Sequence, residues 1–300
     1  MIEINNISKK YDDIPAVDGI TAVIKEGGVF GLLGTNGAGK STLLRMLCGI
    51  LKPEQGEILV DGENVYENEN AKKKIFYISD NPYFFPNYTP LEMKKYYESI
   101  YENFDSDKYF ILMSKFNLNG NRKINTFSKG MKKQLCTILG VCSGCQYLLC
   151  DETFDGLDPV MRQAVKRIFV AALEDGTMTP IIASHNLREL EDICDHVGLL
   201  HKGGILLSKD LEDLKLGIHK LQCVFSDITS KHTFMSMVEP LKVEERGSLL
   251  TLTVRDSREG LEEKLSMVNT IFAEIIPLSL EEIFISETEV VGYDIKNIIS

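Results

Sequence analysis

Residues 34–41 read Gly-Thr-Asn-Gly-Ala-Gly-Lys-Ser, a full match to the spacing GxxxxGK[ST]. A short apolar run at 29–33, bounded by glycines, precedes them, and Leu43, Leu44, Leu47 and Ile50 follow at helical spacing. A strand, a tight loop and a helix are expected. The glycines Gly34, Gly37 and Gly39, with Thr35, Asn36 and Ala38 between them, let successive backbone N–H groups curl round a phosphate at the positive end of a helix dipole. In that arrangement Lys40 reaches the β- and γ-phosphates of a nucleotide and the Ser41 hydroxyl, followed by Thr42, sits on Mg²⁺.

A second apolar run, 147–150, ends in Asp151 and Glu152 and reads as a buried parallel strand that delivers carboxylates at its C-terminal end, the edge at which such sheets bind ligands. Asp151 is placed to hold Mg²⁺, and Glu152 to polarise an attacking water. A third strand, 180–184, delivers His185 just before a helix over 187–194. Its imidazole, neutral or protonated, suits a hydrogen bond to the γ-phosphate or to the water, although a lone histidine is more often structural than catalytic.

In order, GTNGAGKS, FSKGMKKQL, YLLCDETFDGLDP and IIASHN resemble the nucleotide-binding subunit of ABC transporters, over residues 1–215. The resemblance implies an α/β P-loop NTPase core with an antiparallel β subdomain and a helical subdomain at about 81–145. It also implies ATP hydrolysis with Mg²⁺, and a head-to-tail dimer with a second copy of the chain. Residues 127–131 look like the family's LSGGQ signature, so Ser128 and Gly130 are expected on the γ-phosphate held by the partner's P-loop. Tyr11 looks like the aromatic that stacks on adenine, an edge-strand tyrosine being the alternative. Asp158 matches the loop that crosses the dimer interface, and His185 the switch histidine. Where the family commonly has a glutamine, Asp80 stands, an acceptor-only carboxylate still able to approach Mg²⁺. The signature carries Lys129 for glycine and Met131 for glutamine.

The 300 residues carry 33 Lys and Arg against 44 Asp and Glu, a net charge of −11. That sign argues against nucleic acid as a partner. The composition, 26% charged and 44% hydrophobic, is that of a soluble globular protein rather than a disordered or fibrous one. Seven scattered cysteines fit a reducing cytosol. Cys142 and Cys145 form one CxxC, with no second pair or paired histidines to complete a zinc site. The N-terminus has no apolar leader segment and no run of 18 apolar residues occurs, so the chain is expected in the cytoplasm, peripheral at the inner face of the cell membrane through a permease.

Twelve of the Phe and Tyr residues fall between 76 and 110. Aromatics are enriched at interfaces, and in the resembled family this region receives a helix of the membrane subunit, so Tyr83, Phe84, Phe85 and Tyr88 are the candidate contacts. Tyr97, Tyr101 and Phe104 read as subdomain core. Residues 216–300 read as a small α+β extension, regulatory or dimerising: strand-like runs at 221–225 and 249–254, a hairpin turn at Gly247-Ser248, and a helical pattern at 258–272. Eight basic and fourteen acidic residues give it a net charge of −6. The function expected is an ATPase subunit driving a separate permease, with export favoured by the SKGM signature. A soluble ABC ATPase acting on ribosomes or DNA is the alternative, and a regulatory module with little turnover a third.

Overall fold

The computed structural model describes residues 1–176 and 178–290 and divides into two units, 1–208 and 209–300. The division falls ahead of the 215/216 boundary expected from the end of the motifs.

In the first unit, β1 (Ile2–Tyr11), β2 (Ile14–Ile24), β3 (Phe30–Leu33), α1 (Lys40–Leu47), β4 (Gln55–Val60), β5 (Glu63–Asn64), α2 (Glu69–Lys73) and β6 (Ile75–Ile78) come first. They are followed by α3 (Pro90–Ile100), α4 (Ser106–Lys115), a short 3₁₀ turn (Ile124–Thr126), α5 (Lys129–Cys142) and β7 (Tyr147–Asp151). Then come α6 (Pro159–Glu174), β8 (Thr179–Ser184), α7 (Leu187–Glu191), β9 (His196–His201) and β10 (Gly204–Asp210), whose last two residues fall past the division. Strands β2-β1-β4-β5 form an antiparallel sheet, and β10-β9-β3-β8-β7-β6 a second sheet in which β6, β7, β8, β3 and β9 run parallel. Every residue of β3, β7 and β8 is buried, as strands covered on both faces require. One core joins Ile2, Ile4, Ile20 and Ile24 of the antiparallel sheet, Leu43, Leu44, Met46 and Leu47 of α1, and Leu149, Ile181 and Ala183 of the parallel sheet. Each such side chain contributes about 1.5–3 kcal/mol when fully buried, so α1 and the loop before it are anchored from two sides.

The helical subdomain is written in capping chemistry. Thr89 and Glu92 form a capping box round Pro90 at the start of α3. Ser128 caps α5 and Asp158 caps α6, with Pro159 in its first turn. Tyr97 and Tyr101 pack their rings on Phe76 of β6, at 5.1 and 5.6 Å, and the Tyr101 hydroxyl donates to the Ile75 carbonyl at 2.9 Å, which makes both core members.

The second unit contains α8 (Leu211–Gly217), β11 (Ile218–Phe225), α9 (Ile228–Met237), β12 (Pro240–Arg246), β13 (Leu249–Arg255), α10 (Arg258–Ser266), β14 (Thr270–Pro277) and α11 (Leu280–Val290). From β11 to β14 it is a βαββαβ unit with antiparallel order β12-β13-β11-β14, the ferredoxin-like arrangement. Its own core gathers Leu221, Cys223, Phe234, Leu250, Leu252 and Leu261. The helix expected over 258–272 stops at Ser266; Thr270, Ile271 and Phe272, β-branched and aromatic, open β14 instead. Likewise α7 ends at Glu191, and α1 at Leu47 because Gly49 takes a left-handed turn with φ 65°.

All seven cysteines are free and buried. Burial pushes the thiols of Cys142 and Cys145 up to about 12, so neither offers a ready thiolate. Among the described residues, no helix is long and apolar enough to cross a membrane.

Candidate active site

Strand β3 ends at Leu33, and residues 34–39 turn into α1. Gly39 has φ 104°, and a Cβ there would lie 2.1 Å from the Ala16 carbonyl oxygen, so only glycine fits. Ala38 is buried and its N–H closes the turn onto the Thr35 carbonyl at 3.1 Å, while Thr35, Asn36 and Gly37 stay exposed. The first turn of α1 has no side-chain cap and no acidic residue, which leaves a helix N-terminus suited to an anion.

Lys40 opens α1 almost fully buried. Its Nζ donates to the Gly34 carbonyl at 2.7 Å and the Thr35 carbonyl at 3.3 Å, and lies 3.2 Å from Glu152 Oε1. One residue on, the Ser41 hydroxyl donates to Asp151 Oδ1 at 3.0 Å; Thr42 is half-buried beside it. The Tyr77 hydroxyl of β6 donates to the other Asp151 oxygen at 3.0 Å and in turn accepts from Arg45. Asp151, at the end of β7, is 2% exposed. Burial raises its pKa, which the Ser41 and Tyr77 donors and the Arg45 charge oppose and the neighbouring Glu152 reinforces. Two hard oxygen donors meeting in a buried corner fit Mg²⁺.

Glu152 takes φ 48°, left-handed for a non-glycine residue. That turn aims its carboxylate back over the loop, Oε1 towards Lys40 and Oε2 towards His185 Nδ1 at 2.9 Å. Asp155 joins Glu152 and His185 in a cluster whose ligand-type atoms lie within 4.8 Å of one another. The three strand ends and the loop thus bring together Lys40, Ser41, Asp151, Glu152 and His185.

Other expected residues lie apart. Ser128 accepts from the Met131 N–H at 3.2 Å as the cap of α5, and a Cβ on Gly130 would lie 3.2 Å from the Gly156 carbonyl oxygen, so the signature helix packs on the turn before Asp158. Asp158 accepts from the Val160 and Met161 N–H groups, each at 3.0 Å. Among the described residues, none of Ser128, Gly130 and Asp158 makes a hydrogen bond to residues 34–42. Tyr11, at the end of β1, is 46% exposed and within electrostatic reach of Arg45. Asp80, expected among the Mg²⁺ ligands, instead directs Oδ1 at Lys133, 2.9 Å away, and Lys129, 3.4 Å away. Of the aromatic loop, Phe85 packs against Tyr83, Tyr88 and Tyr96; Phe84 and Phe85 are half-buried while Tyr83 and Tyr88 are exposed. Tyr77, Arg45, Asp155 and Lys133 escaped the sequence reading. Of these only Asp155, a carboxylate three residues past Glu152, carried a local signal.

A glycine loop on a helix N-terminus after β3, a lysine, and a carboxylate pair at the end of β7, with β8 between the two strands, define a P-loop ATPase. The ABC transporter family model matches residues 17–155. YtrB, an ABC transporter ATP-binding protein of Bacillus subtilis (strain 168), is 30% identical over 96% of this chain and 98% of its own. The bacitracin transport ATP-binding protein BcrA of Bacillus licheniformis is 31% identical over 72% of this chain and 71% of its own. Among solved structures, an ATP-binding subunit of an ABC transporter matches with TM-score 0.66 and 25% identity, over 72% of this chain and 92% of that one. A dimeric ATP-binding cassette in a post-hydrolysis state, bound to ADP and Pi, matches with TM-score 0.63 and 21% identity, over 70% of this chain and 99% of that one. The chain belongs to the ATP-binding subunits of ABC transporters, and its chemistry is ATP hydrolysis.

Proposed function

We propose that this ATPase powers export of a substrate through a separate transmembrane permease, acting as a head-to-tail homodimer at the inner face of the membrane. The observation that carries the reading is the convergence of Lys40, Glu152 and His185 above the Ser41–Asp151 pair. The N–H groups of 34–42 and the Lys40 ammonium bind the phosphates of ATP, and Tyr11 stacks on the base. Ser41 and Asp151 would hold Mg²⁺, which would supply positive charge to the phosphates. Glu152 orients and polarises the attacking water, and His185, hydrogen-bonded to it, fixes that carboxylate and reaches the γ-phosphate.

Ser128 and Gly130 sit at an open helix start away from the P-loop of their own chain, and Asp158 lies exposed beside them. A second copy presenting these residues to the nucleotide completes each site. The dimeric cassette similar to this fold supports that assembly. Exposed Tyr83 and Tyr88, with Phe84 and Phe85 behind them, form the contact for the permease. The relative named for bacitracin transport supports a transport ATPase, and the SKGM signature favours export.

The test is Glu152→Gln. The variant binds ATP, accumulates as a dimer by size exclusion with ATP and Mg²⁺, and does not turn over; wild-type hydrolysis removes the role given to Glu152.

A further inference from the structure

Lys133 lies one helical turn beyond Lys129 on α5, and its side chain is 0% exposed. Its ammonium has two partners, Asp80 Oδ1 and the backbone carbonyl of Glu152. A buried ammonium is costly unless it is both paired and hydrogen-bonded, and this one is both. Burial works against ionisation of Asp80, yet the hydrogen bond and charge of Lys133, aided by Lys129, hold its carboxyl below the usual carboxylate range. Asp80 therefore stands as a carboxylate facing the Lys133 ammonium at 2.9 Å.

Its second contact falls on a residue that needs support. Glu152 sits in the left-handed region, which residues with a Cβ leave unless their surroundings hold them there. Its N–H donates to the Ala183 carbonyl at 3.0 Å, and its carbonyl accepts from the Lys133 ammonium and, at 3.2 Å, from the Asp155 N–H. With both ends of the residue fixed, the direction of its Cα–Cβ bond is set, and the carboxylate that follows lies against Lys40 and His185.

We propose that Lys133 is a positioning residue that holds the backbone turn of Glu152, and that Asp80 is the counter-ion that keeps Lys133 in place. Asp80 stands between β6 and the aromatic loop, so the same contact ties that loop to the signature helix and to the catalytic turn. This rests on the reading of Glu152 as the residue that activates water.

The experiment compares Asp80→Asn, the double variant Asp80→Asn/Lys133→Met, Asp80→Glu and Glu152→Gln in the full chain. Melting temperature, affinity for a fluorescent ATP analogue, kcat and KM are measured for each. Asp80→Asn strands a buried charge and lowers the melting temperature. The double variant removes that charge and recovers the melt, but leaves the Glu152 carbonyl with only the longer bond from the Asp155 N–H, at 3.2 Å, in place of the ammonium. Its kcat stays down by about 10²-fold, the cost of a misplaced catalytic group, while KM is unchanged. A merely structural pair recovers both melt and turnover together, so wild-type kcat in the double variant overturns the proposal while a slow Glu152→Gln leaves the water-activating role standing. Wild-type turnover in Glu152→Gln removes that role instead. If the double variant does not melt cooperatively, the test passes to Asp80→Asn: reduced kcat at retained affinity, restored by Asp80→Glu, supports the proposal, and undiminished kcat overturns it.

Discussion

Tyr77→Phe isolates one hydroxyl in the buried corner where the metal ligands meet. Phe fills the same volume, so no cavity opens; what is lost is the donor to Asp151 Oδ2 and the acceptor for Arg45. A hydrogen bond to a charged group contributes roughly 1.5–3 kcal/mol, and Asp151, at 2% exposure, cannot replace it with water. Arg45 keeps its attraction for Asp151, which places the loss near about 2 kcal/mol, or about 4–8 °C in melting temperature for a unit of this size.

The sign with pH follows from the raised pKa of Asp151. The folded state already binds its proton more tightly than the unfolded chain does, and losing a donor to the carboxylate raises that pKa further. The variant's deficit is therefore full where Asp151 is ionised, shrinks as pH falls through the folded pKa, and is smallest once the group is protonated in both folded proteins, where the hydroxyl no longer faces a charge. Calorimetric melts of both proteins at pH 8 and through mildly acidic pH measure this. A deficit independent of pH means that Tyr77 acts by packing alone, and refutes the argument.

Two further outcomes are expected. Gly39→Ala places a Cβ 2.1 Å from the Ala16 carbonyl at φ 104°, so the loop must move and affinity for a fluorescent ATP analogue is lost; retained affinity contradicts the cradle geometry. Asp61 is opposed by burial, but the chain's own amino terminus, Lys74 and Tyr147 outweigh it and hold its carboxyl at about 2. Its contribution is thus fully present above the unfolded value of 3.8 and is lost as pH falls towards 2. Asp61→Asn flattens that part of an acid unfolding titration, and an unchanged slope counts against the assignment.

What was legible in the sequence is what is local. The loop 34–41 and the strand ending in Asp151 and Glu152 are contiguous, and their chemistry follows from spacing and from apolar runs that can only be buried strands. Ser128 and Asp158 were read for their expected roles at the nucleotide and the dimer interface, and the structure adds that both cap helices, a position their types favour. What stayed hidden is contact across the parallel sheet. Tyr77 meets Asp151 because β6 and β7 are neighbours with Ile78 opposite Cys150, a register no segment reveals by itself. The ferredoxin-like unit was half legible: β11 and β13 showed as strand-like runs, but β12 and the strand order did not, and Thr270 to Phe272 open β14 where periodicity alone extended a helix.

Asp80 and Lys129 each look like a departure when compared singly with the resembled family. Their side chains meet at 3.4 Å, with the buried Lys133 between them and Glu152. A glutamine at position 80 accepts a hydrogen bond but cannot neutralise an ammonium that has no exposure to solvent. With Lys133 buried there, a carboxylate at 80 follows from electrostatics, and Lys129, half-exposed and one turn earlier, adds a second positive charge to the same oxygen. The two departures are one electrostatic unit, and its members stand at the three places where the aromatic loop, the signature helix and the catalytic turn come together.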